Sequence, residues 1–142
     1  MSRTLKNIRA RLVTILTGDS TFTGYLSAGT LGLMHLYPGE HQGAHFAVYS
    51  IRHQTDRSLQ PKAKKILTFQ LKAVGTDISK LDDIIGRAEE VLQNISLTTT
   101  EWCNQYHCYP VGETVTNYEG QVDQSLPILS ETAEWEIHLY EK

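Results

Sequence analysis

Two segments of the chain carry apolar residues at the three- and four-residue spacing of an amphipathic helix. In residues 3–17 the apolar stripe consists of Leu5, Ile8, Leu12, Ile15 and Leu16. In residues 77–95 the stripe is longer and consists of Ile78, Leu81, Ile84, Ile85, Ala88, Val91, Leu92 and Ile95. Gly18 favours the end of the first helix, and Asp77 or Thr76 is a suitable N-terminal cap for the second. The sequence therefore predicts an N-terminal helix and one long central helix.

Alternation of apolar and polar residues predicts the β-strands. The pattern is strictest in residues 65–73 and 132–140, and further strands are predicted at 33–37, 46–51, 102–111 and 115–118. Asp19-Ser20-Thr21 is a new capping signal, whereas the Gly-rich residues 25–32 and the polar residues 120–127 indicate loops. The predicted fold class is α+β: a mostly antiparallel sheet with the N-terminal helix and the long central helix packed on one face.

The length and composition agree with a single domain. The 142 residues are close to the commonest domain size, with 40% hydrophobic and 20% charged residues. No internal repeat or linker divides the sequence, so we expect one domain spanning residues 1–142. No apolar run approaches the roughly 20 residues that cross a bilayer, and the N-terminus does not have the pattern of a secretory signal. We therefore expect a soluble protein that folds in the cytoplasm and has no membrane partner.

The charges divide unevenly between the two halves of the chain. Residues 1–75 contain ten Lys or Arg and three acidic residues, whereas residues 76–142 contain three Lys or Arg and thirteen acidic residues. Two interpretations remain open: the halves neutralise each other inside one sheet, or oppositely charged edges meet between subunits.

The sequence does not favour a catalytic or metal site. The glycine-rich nucleotide-binding patterns and Gly-x-Ser-x-Gly are missing. Cys103, His107 and Cys108 lack the second ligand pair of a zinc site, and His41 and His45 lack a third ligand. The carboxylate pairs are expected on solvated surfaces: Asp82 and Asp83, Glu89 and Glu90, Glu134 and Glu136. We predict no catalytic residue, no metal and no cofactor.

Residues 54–63 read Gln-Thr-Asp-Arg-Ser-Leu-Gln-Pro-Lys-Ala, a polar connection longer than a tight hairpin needs. Arg57 and Lys62, with Lys64 directly after the segment, make it basic, and Pro61 disfavours a regular strand. We expect residues 54–64 to be poorly ordered in a free subunit and to become ordered at an interface. The alternative is an ordinary flexible hairpin.

Several short segments, in order, resemble the tail-completion (tail terminator) proteins of long-tailed siphophages. Residues 36–49 read Leu-Tyr-Pro-Gly-Glu-His-Gln-Gly-Ala-His-Phe-Ala-Val-Tyr. The later segments are Asp56-Arg57-Ser58-Leu59, Phe69-Gln70-Leu71 and Trp135-Glu136-Ile137-His138-Leu139-Tyr140. The chain departs from the family at His41 and His45, where prolines are common, and in residues 102–123.

The resemblance implies a non-enzymatic protein of the virion, located in the tail or neck. It would form a ring, usually a hexamer, that caps the tail tube and joins it to the head connector or stopper protein. DNA would pass through the channel without sequence recognition. The resemblance also implies an oligomer or tube interface at Asp56, Arg57, Leu59, Lys62 and Lys64.

Two other functions stay open. A head-completion or minor tail protein of the neck would share the same assembly chemistry at another position in the particle. A small hydrolase or isomerase would require Glu134, Glu136 and His138 to line a single deep cleft.

Overall fold

The computed structural model describes residues 6–36, 44–56, 64–93, 95, 97, 102–104, 109–121 and 127–141. Three α-helices lie within these residues: α1 (Lys6–Thr17), α2 (Ser20–Gly24) and α3 (Ile78–Leu92). A short 3-10 helix covers Gly29–Gly32. Six strands complete the described part: β1 (Leu33–His35), β2 (Phe46–Asp56), β3 (Lys64–Gly75), β4 (Trp102–Asn104), β5 (Tyr109–Gln121) and β6 (Pro127–Glu141).

The strands form one sheet in the order β1-β2-β3-β6-β4, with β5 also paired to β6. The pair β1–β2 is parallel and every other pair is antiparallel. Strand β6 pairs with β3 on one edge; its other edge pairs with β4 through residues 139–141 and with β5 through residues 127–136. The last strand in the sequence, β6, is therefore paired on both of its edges and joins β3 to β4 and β5.

The helices lie on one face of the sheet, as the apolar stripes require. Helix α3 packs on β3 and β6 and also contacts α1 and α2. The two helical stripes and the inward residues of β3 and β6 form one buried core: Ile8, Leu12, Leu16, Leu67, Phe69, Leu71, Leu81, Ile84, Ala88, Leu92, Trp135, Ile137 and Leu139. Phe69 and Trp135 are partners in the β3–β6 register, and their ring centroids are 6.1 Å apart. The predicted α+β class, with helices on one face of a mostly antiparallel sheet, is confirmed.

The segment between α1 and β1 contains more structure than the sequence predicted. Asp19, identified as part of a capping signal, begins the short helix α2, in which Phe22 is completely buried. The predicted loop 25–32 ends in the 3-10 helix, where Gly32 is required because a Cβ would lie 2.9 Å from the Cβ of Leu26. Hydrogen bonds between Ser27 and His45 in both directions, each 2.8 Å, hold this segment against the start of β2.

The predicted connection 54–63 is shorter in the structure. Residues 54–56 belong to β2 and Lys64 to β3, and their Cα positions pair as Gln54↔Ile66, Thr55↔Lys65 and Asp56↔Lys64. The polar composition gave the wrong bound, because backbone hydrogen bonds between strands do not require apolar side chains. Residues 57–63 lie outside the described residues.

The predicted strand 102–111 is two strands. Its first part is β4, whereas residues 109–111 begin the longer β5, which also includes the predicted strand 115–118 and part of the predicted loop 120–127. The register of β5 on β6 shifts between Val111 and Val115 and again between Tyr118 and Gly120. Such irregularities break the strict alternation on which the prediction relied.

Candidate assembly surfaces

The face of the sheet that the helices leave uncovered is polar and cross-linked. Arg52 of β2 donates from Nη2 to Oε1 of Glu134 on β6, at 3.1 Å. Gln70 of β3 lies between them and donates to the same oxygen at 3.4 Å, while accepting from Ser50 at 3.2 Å. These contacts connect three strands on the solvent side.

A second group on this face connects β3, β5 and β6. Ser130 donates from its hydroxyl to Oε1 of Glu119 at 2.6 Å, and Nζ of Lys72 lies 3.0 Å from the same oxygen. The hydrogen bond from Ser130, followed by the hydrogen bond from Lys72, lowers the pKa of Glu119 below 4.5. Glu119 therefore remains charged at neutral pH and helps to fix β5 against the sheet.

Three ion pairs join the basic half of the sequence to the acidic half: Arg52–Glu134, Lys72–Glu119 and Asp19–Arg87. Arg52–Glu134 and Lys72–Glu119 lie in the sheet, so the first of the two interpretations of the charge asymmetry is realised there in part, whereas Asp19–Arg87 joins α2 to α3. Elements beside the two ends of the sheet differ in their charged residues. Helix α1 contains three basic residues and no acidic one, whereas β5 contains two glutamates and no basic residue.

Basic groups also converge on the end of β2. His53 lies near Lys65 and Arg9, and its pKa is lowered first by burial and then by these two cations. The imidazole is therefore neutral at neutral pH. The positive charge of this region comes from lysine and arginine.

The structure places two of the five predicted interface residues. Asp56 and Lys64 are Cα partners at the far end of the β2–β3 ladder. The ammonium of Lys64 lies 5.5 Å from the ring centroid of Tyr140, a cation–π distance. Arg57, Leu59 and Lys62 lie outside the described residues.

Glu134, Glu136 and His138 project from the same face of β6, but they do not surround one cleft. Glu134 contacts Arg52, and Oε1 of Glu136 lies 2.7 Å from Nε2 of His138. A depression of about 310 Å³ on this face is lined by Arg52, His53, Ile66, Thr68 and Glu136. Of the three residues of the hydrolase hypothesis, the depression includes Glu136 alone. The arrangement therefore lacks the convergence of the three side chains that the hypothesis required.

The metal-ligand candidates fall mostly outside the described residues, including His41, His107 and Cys108. In the ranges that the structure describes, no three His, Cys, Asp or Glu side chains are grouped closely enough to hold a metal ion. Over those same ranges, no helix has both the length and the apolar character needed to span a bilayer.

Sequence reasoning missed a buried carboxyl. Glu131 is 7% exposed, and one of its carboxyl oxygens has no hydrogen-bond partner among the described residues. Burial is the main cause that raises the pKa of Glu131 to about 7, and the nearby carboxyl of Asp82 on α3 adds to it. The signal was present in the sequence, because Glu131 continues the inward alternation of Ala133 and Trp135 on β6.

Sequence reasoning also missed the exposed apolar residues at the sheet edges. Leu31 (55% exposed) and Leu36 (59%) flank β1, and Val115 (49%) and Tyr118 (63%) lie on β5. Ile78, at the start of α3, is 39% exposed. Side-chain exposure at an edge depends on the order of strands, which the local pattern does not specify.

Comparisons with known proteins show what the fold resembles. No protein-family model and no curated protein sequence matches the chain. Among solved structures, a chain in a structure titled "Virion of native gene transfer agent (GTA) particle" superimposes with a TM-score of 0.69. The superposition covers 91% of each chain at 9% sequence identity. At that identity, the likeness establishes that this chain shares its fold with a protein of a gene transfer agent virion.

Proposed function

We propose that this chain is a structural protein of a virion and that it acts as a tail terminator. The observation that carries the proposal is the likeness to a virion chain over 91% of both chains. Its independent support is the ordered series of short segments that resemble tail-completion proteins, from residues 36–49 to residues 135–140. The structural comparison depends on backbone geometry and the family resemblance depends on residue identity, so they are separate lines of support.

The surfaces of the chain suit binding better than turnover. The polar face of the sheet is open, and its charged groups are already engaged in cross-strand pairs such as Arg52–Glu134 and Lys72–Glu119. General acid–base catalysis needs groups that converge on one substrate-sized site. A broad face of mixed charge instead suits contact with other proteins.

In the proposed role, copies of the chain form a ring, a hexamer in the related phage proteins, at the end of the tail tube. The ring stops addition of further tube subunits and presents its opposite side to the head connector or stopper protein. Its central channel lets DNA pass without base-specific contacts. The protein therefore acts in the tail or neck of the particle as a single domain of residues 1–142, without a cofactor.

A complementation experiment tests this role. Particles assembled without the chain are expected to give DNA-filled heads without tails, together with tail tubes of irregular length. Adding the purified protein to tubes of correct length should restore joining to heads. Electron microscopy measures both tube length and joining.

The neighbouring role gives a different result in the same experiment. If the chain were a head-completion protein, its omission would leave tubes of normal length, and the defect would lie in the heads. Uniform tube length without the chain would therefore contradict the terminator proposal.

A further inference from the structure

Strand β5 has exposed side chains on both faces of the sheet. All eight residues 112–119 are exposed, although a strand covered by a helix on one face buries every second side chain. Within the described residues β5 pairs with β6 only, so among those residues no strand lies along its other edge. An exposed edge of this kind is a template for pairing with another strand.

The opposite edge of the sheet is also incompletely covered. Strand β1 pairs with β2 only at residues 47–49, whereas β2 extends to Asp56. In the described parts of the chain, no strand continues beside residues 50–56 on that side. In the part of the chain that the structure describes, the sheet thus has one uncovered edge at each end, along β5 and along residues 50–56 of β2.

Exposed apolar residues coincide with these two edges. Of the five large hydrophobic residues that are exposed in the described ranges, two lie on β5 and two flank β1. Leu36 has a φ of +70°, a left-handed conformation that costs a leucine about 1 kcal/mol. Its amide donates to the carbonyl oxygen of Tyr49 at 2.9 Å, which holds it beside β2. An apolar side chain held at an exposed, strained position is suited to contact with another surface.

The charges beside the two edges are complementary. Strand β5 carries Glu113, together with Glu119 that is already paired with Lys72 of the same chain, whereas the β2 end of the sheet lies beside Arg9 and Lys65, which both act on His53. Contact between two β5 edges would bring like charges together, and so would contact between two basic edges. Contact of β5 with the β2 end joins opposite charges.

We propose that the β5 edge of one copy pairs with the β1–β2 edge of the next copy, so that the sheet continues from subunit to subunit. The apolar residues Val115 and Tyr118 then meet a surface that includes Leu31 and Leu36. The contact is head to tail because its two sides are different surfaces. Repeated contacts of this type close into a ring when the rotation between copies permits it. The inference rests on the proposed assembly function and names the surface through which assembly occurs.

Two edge variants and one control test the pairing. Tyr118→Asp adds a negative charge to the β5 edge, and Leu36→Asp alters the opposite edge while tolerating the left-handed backbone better than leucine. Ile78→Asp is the matched control, because it changes an exposed apolar residue that belongs to the first turn of α3 and not to an edge strand. Circular dichroism and melting temperature verify that all three remain folded.

Sedimentation velocity and native mass spectrometry give the readout. Wild type and Ile78→Asp should form oligomers, whereas each edge variant alone should associate about 30-fold more weakly or not at all. An equimolar mixture of Tyr118→Asp and Leu36→Asp should form a heterodimer and nothing larger, because the mixture retains one intact type of contact. This result is specific to a head-to-tail interface.

Three outcomes overturn the inference: oligomers of an edge variant that match wild type, a mixture that stays monomeric, or monomeric wild type at about 1 mM. If wild type forms rings and the edge variants do so equally, the edge pairing fails while the terminator proposal stands. If the edge variants behave as expected but omission of the chain leaves tube length unchanged, the terminator proposal fails and the edge pairing stands.

Discussion

The guanidinium of Arg87 donates two hydrogen bonds to the carboxylate of Asp19, from Nε to Oδ1 at 3.0 Å and from Nη2 to Oδ2 at 2.8 Å. Asp19 also caps α2, since its Oδ1 accepts from the amide of Phe22 at 2.8 Å. One carboxylate therefore fixes the start of α2 and attaches it to α3.

Substitution of Asp19 is expected to separate these two roles. Asp19→Asn keeps an oxygen for capping and loses the ion pair, whereas Asp19→Ala loses both, with about 1 kcal/mol more destabilisation from the missing cap. Urea denaturation measures both changes. Glu90→Ala is the control, because Glu90 pairs with the same arginine from an exposed position. If Asp19→Asn and Asp19→Ala lowered the free energy of unfolding equally, the result would contradict a capping role for Asp19.

The stability contributed by Asp19 should depend on acid pH. The hydrogen bond from Arg87 is the largest cause that lowers the pKa of Asp19 in the folded protein. The contribution is complete above the unfolded pKa of 3.8 and is lost as the pH falls through the lower folded pKa. Asp19→Asn should therefore show a smaller loss of stability on acidification than wild type does.

Glu131→Gln should stabilise the protein at alkaline pH and have little effect at pH 5. Because the folded pKa of Glu131 is about 7 against 4.5 when unfolded, the folded state binds more protons between these values. Wild-type stability consequently falls as the pH rises from 4.5 through 7, and glutamine removes that loss. Melting temperatures from pH 5 to 8 measure the difference. Glu113→Gln, on exposed β5, is the control for the same substitution at an exposed position.

Shortening the β2–β3 connection should separate folding from assembly. Asp56 and Lys64 are already Cα partners, so replacement of residues 57–63 by Asn-Gly closes a two-residue hairpin. Loop length changes closure entropy by about 1 kcal/mol, so the fold should survive. If residues 57–63 contact a tube or a neighbouring subunit, the variant should leave tubes of irregular length in complementation. If the shortened variant gave normal particles, residues 57–63 would be an ordinary hairpin connection without a role in assembly.

Self-association should weaken as salt rises from about 0.05 to 0.5 M, because the Debye length shrinks from roughly 14 to 4 Å. The physical cause is screening between the acidic β5 edge and the basic end of the sheet. Sedimentation at a series of salt concentrations measures the effect. Association that strengthens with salt would indicate a contact dominated by apolar burial instead.

A chelator should leave the melting temperature unchanged, because Cys103, His107 and Cys108 lack a second pair of zinc ligands in the sequence. Differential scanning fluorimetry with and without EDTA measures this. A decrease of many degrees would reveal a metal site, and loss of the decrease in a Cys108→Ser variant would locate it.

The fold was predictable wherever burial on one face imposed a regular period. The stripe through Leu81, Ile84 and Ala88 specified α3, and the alternation through Trp135 and Ile137 specified β6. The predicted strands were too short where backbone pairing continued through polar or irregular sequence, as in residues 54–56, 112–114 and 119–121. Hydrophobic periodicity arises where one face of a strand or helix is buried, so a strand pair that is exposed to solvent has no such periodicity in its sequence.

The candidate assembly surfaces were predictable only in part. The uneven charge of the two halves allowed either neutralisation inside the sheet or oppositely charged edges, and the cross-strand pairs that cancel some of that charge depend on the β3–β6 register. Exposure of Leu36 and Tyr118 depends on which strands lie at the ends of the sheet. Strand order depends on contacts between distant segments, so the sequence of a single segment does not specify it.

The central position of β6 has a consequence for synthesis on the ribosome. At about 5–20 residues per second, β6 begins to emerge several seconds after β3 is complete. Until then β3 lacks a partner on one edge, and β5 lacks the strand against which it forms. A truncated nascent chain that ends before residue 127 therefore has no β5 edge to offer a neighbouring copy. Under the proposed pairing, translation order itself keeps unfinished chains out of the ring.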